Sequence, residues 1–336
     1  MKIIAPTTIS LTTTFKCTAA CRNCCFQCNQ KNKKIMTFVE MKSYIDKCLK
    51  VYSDSISMLV LTGGECTLLN EDLFSIIRYA SSLNLKIRIV TNGWWAISYR
   101  KAYSFLKELK DSGLNEINFS TGDEHQEWIP FKKIRDASIA AVRLGLICVI
   151  NIETHDNSSF DFNKILSKDK MLQKYCNIKE KGINRILVEK GIWIPVKKTD
   201  FEKITYEKYP PNNKYRCESI LGMIDINPYG EMLACCGLTS EQNPFLRLGN
   251  VNKHNIKELY ESSFKDLLKI WLYTEGPEAI LRYISIKKGV ERNIYPRHVC
   301  AACRELFSDK ENIAIIQENF IEISNKVLLK YFLATK

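Results

Sequence analysis

Over its first 200 or so residues the chain alternates short apolar, β-branched runs with amphipathic stretches of helical period, and this limits its possible folds more than any other feature. The runs predict strands over 8–14, 56–62, 86–91, 116–120, 146–152 and 185–194. Between them, helices are expected over 38–52, 71–83, 99–112, 131–144 and roughly 160–175. Strand, helix, strand at this regularity implies right-handed crossovers and a parallel α/β sheet. Six such units are too few to close an eight-stranded barrel, so a partial (β/α)6 TIM barrel is expected over 1–205, with its chemistry at the C-terminal ends of the strands. Beyond that point the texture changes. Tyr209-Pro210-Pro211-Asn212-Asn213 reads as a linker, the segment 206–310 is rich in turns and cysteines, and a helical pattern over about 312–332 closes the chain as a C-terminal helix within 311–336.

Composition excludes several classes. At 336 residues, 46% hydrophobic and 26% charged, the chain has the make-up of a globular protein with one large core, or one core and a small appendage. No apolar run reaches the eighteen or so residues of a membrane helix, and MKIIAPTTIS turns polar too early for a secretory signal. Fourteen cysteines without an export signal point to metal or redox chemistry in the cytoplasm, where thiols stay reduced. The net charge of +12 comes from scattered lysines with no block of five or six, which describes a solvated surface and argues against nucleic acid and membrane as partners. An acidic electron donor or an acidic peptide would suit it.

Directly after the first strand run come Cys17, Cys21 and Cys24, in a C-x3-C-x2-C pattern. Three thiolates serve three irons of a four-iron cluster and leave the fourth open to a small chelating ligand. Cys25 and Cys28 form a C-x2-C of their own, which keeps a zinc knuckle open as an alternative, though no second ligand pair follows before Cys48. If the first three are the ligands, Cys25 and Cys28 are packing residues around them; the sequence assigns no role to Cys66. The pattern resembles the radical S-adenosylmethionine (SAM) enzymes, whose open iron binds the amino and carboxylate groups of SAM.

The later strand ends agree with that resemblance. The second run ends in Gly63-Gly64-Glu65, where two glycines free the backbone to approach a ligand and a carboxylate can accept from an ammonium group. This is similar to the family's GGE motif, which holds the methionine amine of SAM. The third run ends in Thr91-Asn92-Gly93 and the fourth in Ser120-Thr121-Gly122-Asp123. The resemblance implies contacts from Thr91, Asn92, Ser120 and Asp123 to the ribose and carboxylate of SAM. Asn151 and Glu153, after the fifth run, are weaker candidates, and Trp94 and Trp95 are expected to pack or form a lid.

Further on, Cys217 is followed by twelve residues, Gly230, four more residues and Cys235, with Cys300-Ala301-Ala302-Cys303 far downstream. Asn227-Pro228-Tyr229-Gly230 would reverse the chain in a hairpin that brings Cys217 and Cys235 together. The opening resembles the auxiliary-cluster domains of the SPASM and twitch types. Cys217, Cys235, Cys300 and Cys303 would then ligate one auxiliary [4Fe–4S] cluster, the second in the chain; a zinc ribbon is the alternative. Cys236 is surplus to that set. Beside a radical-generating site its weak S–H bond could give a hydrogen atom to a carbon radical.

Four segments taken together, CRNCCFQC, NGWW, GDEHQEWIP and VCAACRELFSDKENI, resemble the radical SAM peptide epimerases, which convert L- to D-residues in ribosomally made peptides. The resemblance spans nearly the whole chain, with gaps, and includes the Cys235-Cys236 pair. It implies that one electron from a flavodoxin- or ferredoxin-type donor cleaves SAM to methionine and a 5′-deoxyadenosyl radical, which removes a Cα hydrogen. Cys236 then returns a hydrogen atom to the opposite face, and the thiyl is reduced afterwards, with the auxiliary cluster as one route. Asp225 is the acidic residue nearest in sequence to the epimerase position, although the twelve-residue spacing departs from the family's register. The residues before the first strand leave no room for a leader-binding module, so leader recognition is expected elsewhere. The competing reading is a peptide cross-linking maturase that forms thioether or carbon–carbon bonds, since fold and cofactor do not fix the outcome.

Overall fold

A computed structural model describes residues 2–154, 158–176, 185–194, 216–292 and 298–335. Contacts divide the chain into two compact units, Ser10–Asp46 with Ser57–Thr205, and Met1–Ile9 with Lys47–Ile56 and Tyr206–Lys336. The expected linker at 209–213 lies outside the described residues.

The first unit carries the alternating elements: β1 (Thr8–Thr12, begun before it), α1 (Phe38–Tyr52, ending after it), β2 (Met58–Thr62), α2 (Glu71–Ser82), β3 (Lys86–Thr91), α3 (Tyr99–Asp111), β4 (Glu116–Gly122), a short α4 (Asp123–Gln126), α5 (Phe131–Arg143), β5 (Ile147–Thr154), α6 (Phe162–Leu166), α7 (Lys170–Cys176) and β6 (Ile186–Ile192). Spatial order follows sequence order from β1 to β6, and every pair from β2 onward is parallel. A doubly wound sheet would reverse at a switch point. This one adds each strand on the same side of the last, which makes it the expected partial (β/α)6 barrel.

The core follows from the two periodicities. Alternate strand residues Leu59, Leu61, Ile87, Ile89, Ile117 and Phe119 are fully buried, each contributing about 1.5–3 kcal/mol relative to exposure. Helix α2 turns Leu73, Ile76, Ile77 and Ala80 inward, the i, i+3, i+4, i+7 stripe of a helix lying on a sheet. In α3 the Ser98 hydroxyl accepts from Lys101 N at 3.3 Å and caps the first turn.

Three expected boundaries move for local reasons. Strand β1 stops at Thr12, and Thr14 pairs with Ile35 instead, closing the loop that carries the first cysteines. The predicted helix over 160–175 is two helices, because Asp169 Oδ1 accepts from Met171 N at 3.0 Å and Leu172 N at 3.1 Å and starts α7 anew. The closing helix is likewise two, α12 (Lys310–Glu318) and α13 (Phe320–Ala334). They part at Asn319, whose side chain donates to Ile315 O at 2.8 Å and competes with the helical ladder.

In the second unit, β7 (Met223–Ile226), β8 (Glu231–Leu233) and β9 (Arg247–Asn250) pair antiparallel. The β7–β8 turn is the one expected at 227–230. Asn227 Oδ1 accepts from Tyr229 N at 3.0 Å and Glu231 N at 3.1 Å, and Gly230 takes the positive φ of 76° that closes it. Helices α8 (Ile256–Ser262), α9 (Leu267–Thr274), α10 (Pro277–Lys287) and α11 (Val299–Ser308) complete the unit with α12 and α13. Its largest buried side chains are Trp271, Tyr260 and Tyr331, and the Tyr260 hydroxyl donates to Ile4 O at 3.0 Å or Leu221 O at 2.9 Å. Among the described residues no helix is long and apolar enough to cross a membrane.

Candidate active site

The cysteine loop follows β1 at the C-terminal end of the sheet, and the turn after β2 holds it there. Gly64 N donates to Thr14 O at 2.7 Å and Glu65 N to Lys16 O at 3.0 Å. A Cβ on Gly63 would lie 2.4 Å from Thr14 O, and one on Gly64 2.2 Å from Lys16 O, so no other residue fits either position. The backbone that approaches the two glycines in the structure is thus the cysteine loop itself.

Within the loop, Cys17 and Cys28 are buried, and Cys21, Cys24 and Cys25 are partly so. Their thiols differ. A hydrogen bond from the Cys28 thiol, against the effect of burial, brings Cys24 down to about 7. Burial pushes Cys17 up to about 12, with the nearby Glu65 adding to it, and burial also raises Cys21. Cys28 N lies 3.5 Å from Cys24 Sγ as well. Sequence reasoning gave Cys28 a packing role; its use as a donor to Cys24 was missed, and the C-x2-C spacing does not signal it.

Glu65 is fully buried. Its Oε1 accepts from Thr67 N at 3.2 Å, Thr67 Oγ1 at 2.6 Å and Thr91 Oγ1 at 2.7 Å, and its Oε2 from Asn92 N at 2.8 Å. Burial raises its pKa, with those hydrogen bonds opposing. Trp94 Nε1 donates to Thr67 Oγ1 at 3.0 Å, and Trp95 Nε1 to Thr91 Oγ1 at 3.2 Å. Trp95 also packs on Phe105 with ring centres 4.6 Å apart, so both tryptophans buttress the loops, as the packing expectation had it. Glu65, Thr91 and Asn92 form one hydrogen-bonded cluster beside Cys17.

At the end of β4, Ser120 is partly exposed and registers with Asn151 of β5. Asp123 Oδ1 accepts from Ser159 N, Ser159 Oγ and Phe160 N at 2.9, 2.6 and 2.9 Å. Burial alone would raise Asp123, yet these bonds hold it below the usual carboxylate range. The next residue was missed. Glu124 accepts from Asn23 N at 2.7 Å and from the Asn23 amide, tying the cysteine loop to β4. His125 follows, stacked on Trp193 with ring centres 5.1 Å apart and with Nδ1 3.4 Å from Glu153 Oε2. Burial pushes His125 down to about 4 and Glu153 up to about 8, so at neutral pH the two face each other uncharged. The only sequence signal for Glu124 and His125 was their place directly after a strand end.

In the second unit, Cys217, Cys235, Cys300 and Cys303 line one cavity of ≈ 270 Å³, together with Cys236 and His298. A Cβ on Gly237 would lie 3.1 Å from Cys300 Sγ and 3.5 Å from Cys235 Sγ, which puts both sulfurs at one wall. His298 Nδ1 accepts from Cys300 N at 3.1 Å and starts α11, fixing where Cys300 and Cys303 point. Cys236 is exposed as a residue but stands at the cavity wall. Burial of the sulfur, with Asp225 next in effect, pushes its thiol up to about 12. Asp225 is buried on β7, opposite Leu233.

Each cysteine set offers thiols of the kind that a multi-iron cluster takes as ligands, one at each corner. The first set offers three thiols in one loop, and the second offers four around one cavity.

No protein-family model matches the chain, and neither does any curated protein. Among solved structures, it is similar to native anSMEcpe with bound AdoMet, at 17% identity over 96% of this chain and 99% of that one, with a TM-score of 0.52. That likeness shows the fold, the partial (β/α)6 barrel with its appended C-terminal region. Looser matches include Streptococcus suis SuiB bound to S-adenosylmethionine, at 11% identity over 83% of this chain and 72% of that one, with a TM-score of 0.45. Another is BtrN in complex with AdoMet and 2-DOIA, at 13% identity over 80% and 89%, with a TM-score of 0.44.

Proposed function

We propose that the chain is a radical SAM enzyme that acts on a ribosomally made precursor peptide and inverts L-residues to D-residues, an isomerase drawing one electron from a flavodoxin- or ferredoxin-type donor. Cys17, Cys21 and Cys24 would hold the SAM-binding [4Fe–4S] cluster, and Cys217, Cys235, Cys300 and Cys303 an auxiliary one in a SPASM/twitch-like domain. When bound, the first cluster and SAM supply a 5′-deoxyadenosyl radical able to take a Cα hydrogen.

The protein's own part is to hold and to donate. Gly63, Gly64 and Glu65 shape the turn against the cysteine loop, with Thr91, Ser120 and Asp123 at the neighbouring strand ends as the SAM-side groups and the Asn92 side chain turned to Cys17. The observation that carries the choice of reaction is Cys236, which sits beside Cys235 at the cavity wall yet is surplus to the four-cysteine set. Its thiol is pushed up to about 12, so it keeps its proton at neutral pH, the form that can return a hydrogen atom to a planar Cα radical. Asp225, whose charge opposes loss of that proton, supports the same form.

Turnover of a candidate precursor peptide in deuterium oxide tests this. Epimerisation replaces one Cα hydrogen by one deuterium per inverted residue, leaving the peptide heavier by the difference between the two isotopes, because the exchangeable S–H of Cys236 supplies the returned atom. The Cys236→Ala variant should still release 5′-deoxyadenosine but give no D-residue. A product lighter by two hydrogens would identify a cross-linking maturase instead, and normal epimerisation by Cys236→Ala would remove Cys236 as donor.

A further inference from the structure

The side chain of Asn92 is committed to protein partners in a way the strand-end pattern did not reveal. It is 5% exposed, in the turn after β3. Its Nδ2 lies 3.4 Å from Cys17 Sγ and 3.0 Å from Thr18 Oγ1. Its Oδ1 accepts from Trp94 N at 3.1 Å. A backbone N–H can only donate, so the oxygen must face Trp94 and the nitrogen must face the sulfur. The main chain is pinned too, through Asn92 N to the buried Glu65 carboxylate at 2.8 Å. Held at both ends, the amide aims an N–H at the sulfur of Cys17.

We propose that Asn92 is a positioning residue that donates a hydrogen bond to the Cys17 thiolate and thereby raises the reduction potential of the cluster Cys17 helps to hold. The inference rests on the assignment of Cys17, Cys21 and Cys24 as cluster ligands. An electron added to such a cluster resides partly on its sulfurs, and a fixed N–H dipole aimed at one of them stabilises the reduced state more than the oxidised one. The bond has a neighbour in Ala19 N, 3.4 Å from the same sulfur. Asn92 is the side-chain donor of the pair, and so the one substitution can remove.

The test is an EPR-monitored redox titration of the anaerobically reconstituted holoprotein without SAM, with iron and sulfide measured in each sample. Asn92→Ala and Asn92→Leu should load the cluster and titrate at a more negative midpoint than wild type. Thr18→Val, which removes only the other partner of the amide, should titrate with wild type. Loaded Asn92 variants at the wild-type midpoint overturn the assignment, and so does a Thr18→Val shift equal to theirs. Should the Asn92 variants take up no iron, wild type labelled with ¹⁵N at asparagine side-chain amides decides the matter. A ¹⁵N hyperfine coupling to the reduced cluster is expected, and its absence overturns the hydrogen bond. A wild type that holds no iron and sulfide sinks the cluster assignment and this inference with it, whereas a loaded protein with unmoved midpoints sinks only the inference.

Discussion

His125 and Glu153 face each other at the strand ends, and burial drives their affinities for protons in opposite directions. Glu153 is raised from 4.5 to about 8, so its contribution to stability is present below 4.5 and is lost as pH rises through 8. His125 is lowered from 6.5 to about 4, so its contribution is present above 6.5 and is lost as pH falls through 4. Urea unfolding of the metal-free protein across this range should therefore show Glu153→Gln flattening the alkaline limb and His125→Gln the acid limb. Unchanged limbs in both variants would refute the neutral pair. The places of Cys17, Cys21 and Cys24 and of Gly63-Gly64-Glu65, directly after β1 and β2, were legible from the strand pattern and the spacing. What those residues touch was not. The partners of the two glycines are the carbonyls of Thr14 and Lys16, and the partner of Glu124 is Asn23, all set by folding and by no local pattern.

At the scale of elements, strands and helices were read from periodicity with errors of a residue or two. The larger misses, at Asp169 and Asn319, come from single polar side chains that satisfy backbone groups locally, the first starting a helix and the second ending one. Periodicity averages over a window and does not see one cap. Another feature that spacing could not supply is the clamp on α11. Arg292 donates through Nε to Glu278 Oε1 at 2.8 Å and through Nη2 to Glu278 Oε2 at 2.9 Å, and also pairs with Glu305. Arg292 and Glu278 are both largely buried. By holding both Glu278 of α10 and Glu305 of α11, Arg292 joins α10 to the helix that bears Cys300 and Cys303. Removing the guanidinium leaves Glu278 with only the looser contact to Arg282 at 3.6 Å, so Arg292→Met should cost roughly 1.5–3 kcal/mol. Denaturant titration should show that loss; a change near zero would mean the clamp is not formed in solution.

For the molecule as a whole, the β/α alternation sufficed to give the barrel, because a chain that always adds the next strand on the same side has few alternatives. The excess of positive charge, +12, adds a prediction about reduction. With an acidic flavodoxin-type donor, SAM cleavage should slow as salt rises from low ionic strength, because attraction between the two surfaces is screened within about 10 Å at 0.1 M. Cleavage driven by a small chemical reductant should change far less, and equal salt dependence for both would remove charge steering from the account. The central claim is that Cys17, Cys21 and Cys24 hold an iron–sulfur cluster with one site open to SAM. Its most direct test is to give the anaerobically reconstituted, reduced protein SAM alone and measure 5′-deoxyadenosine, with Cys17→Ala alongside. Release by wild type and none by the variant is the predicted result. Protein that carries zinc in place of iron and sulfide, or that binds SAM without cleaving it, would contradict the account.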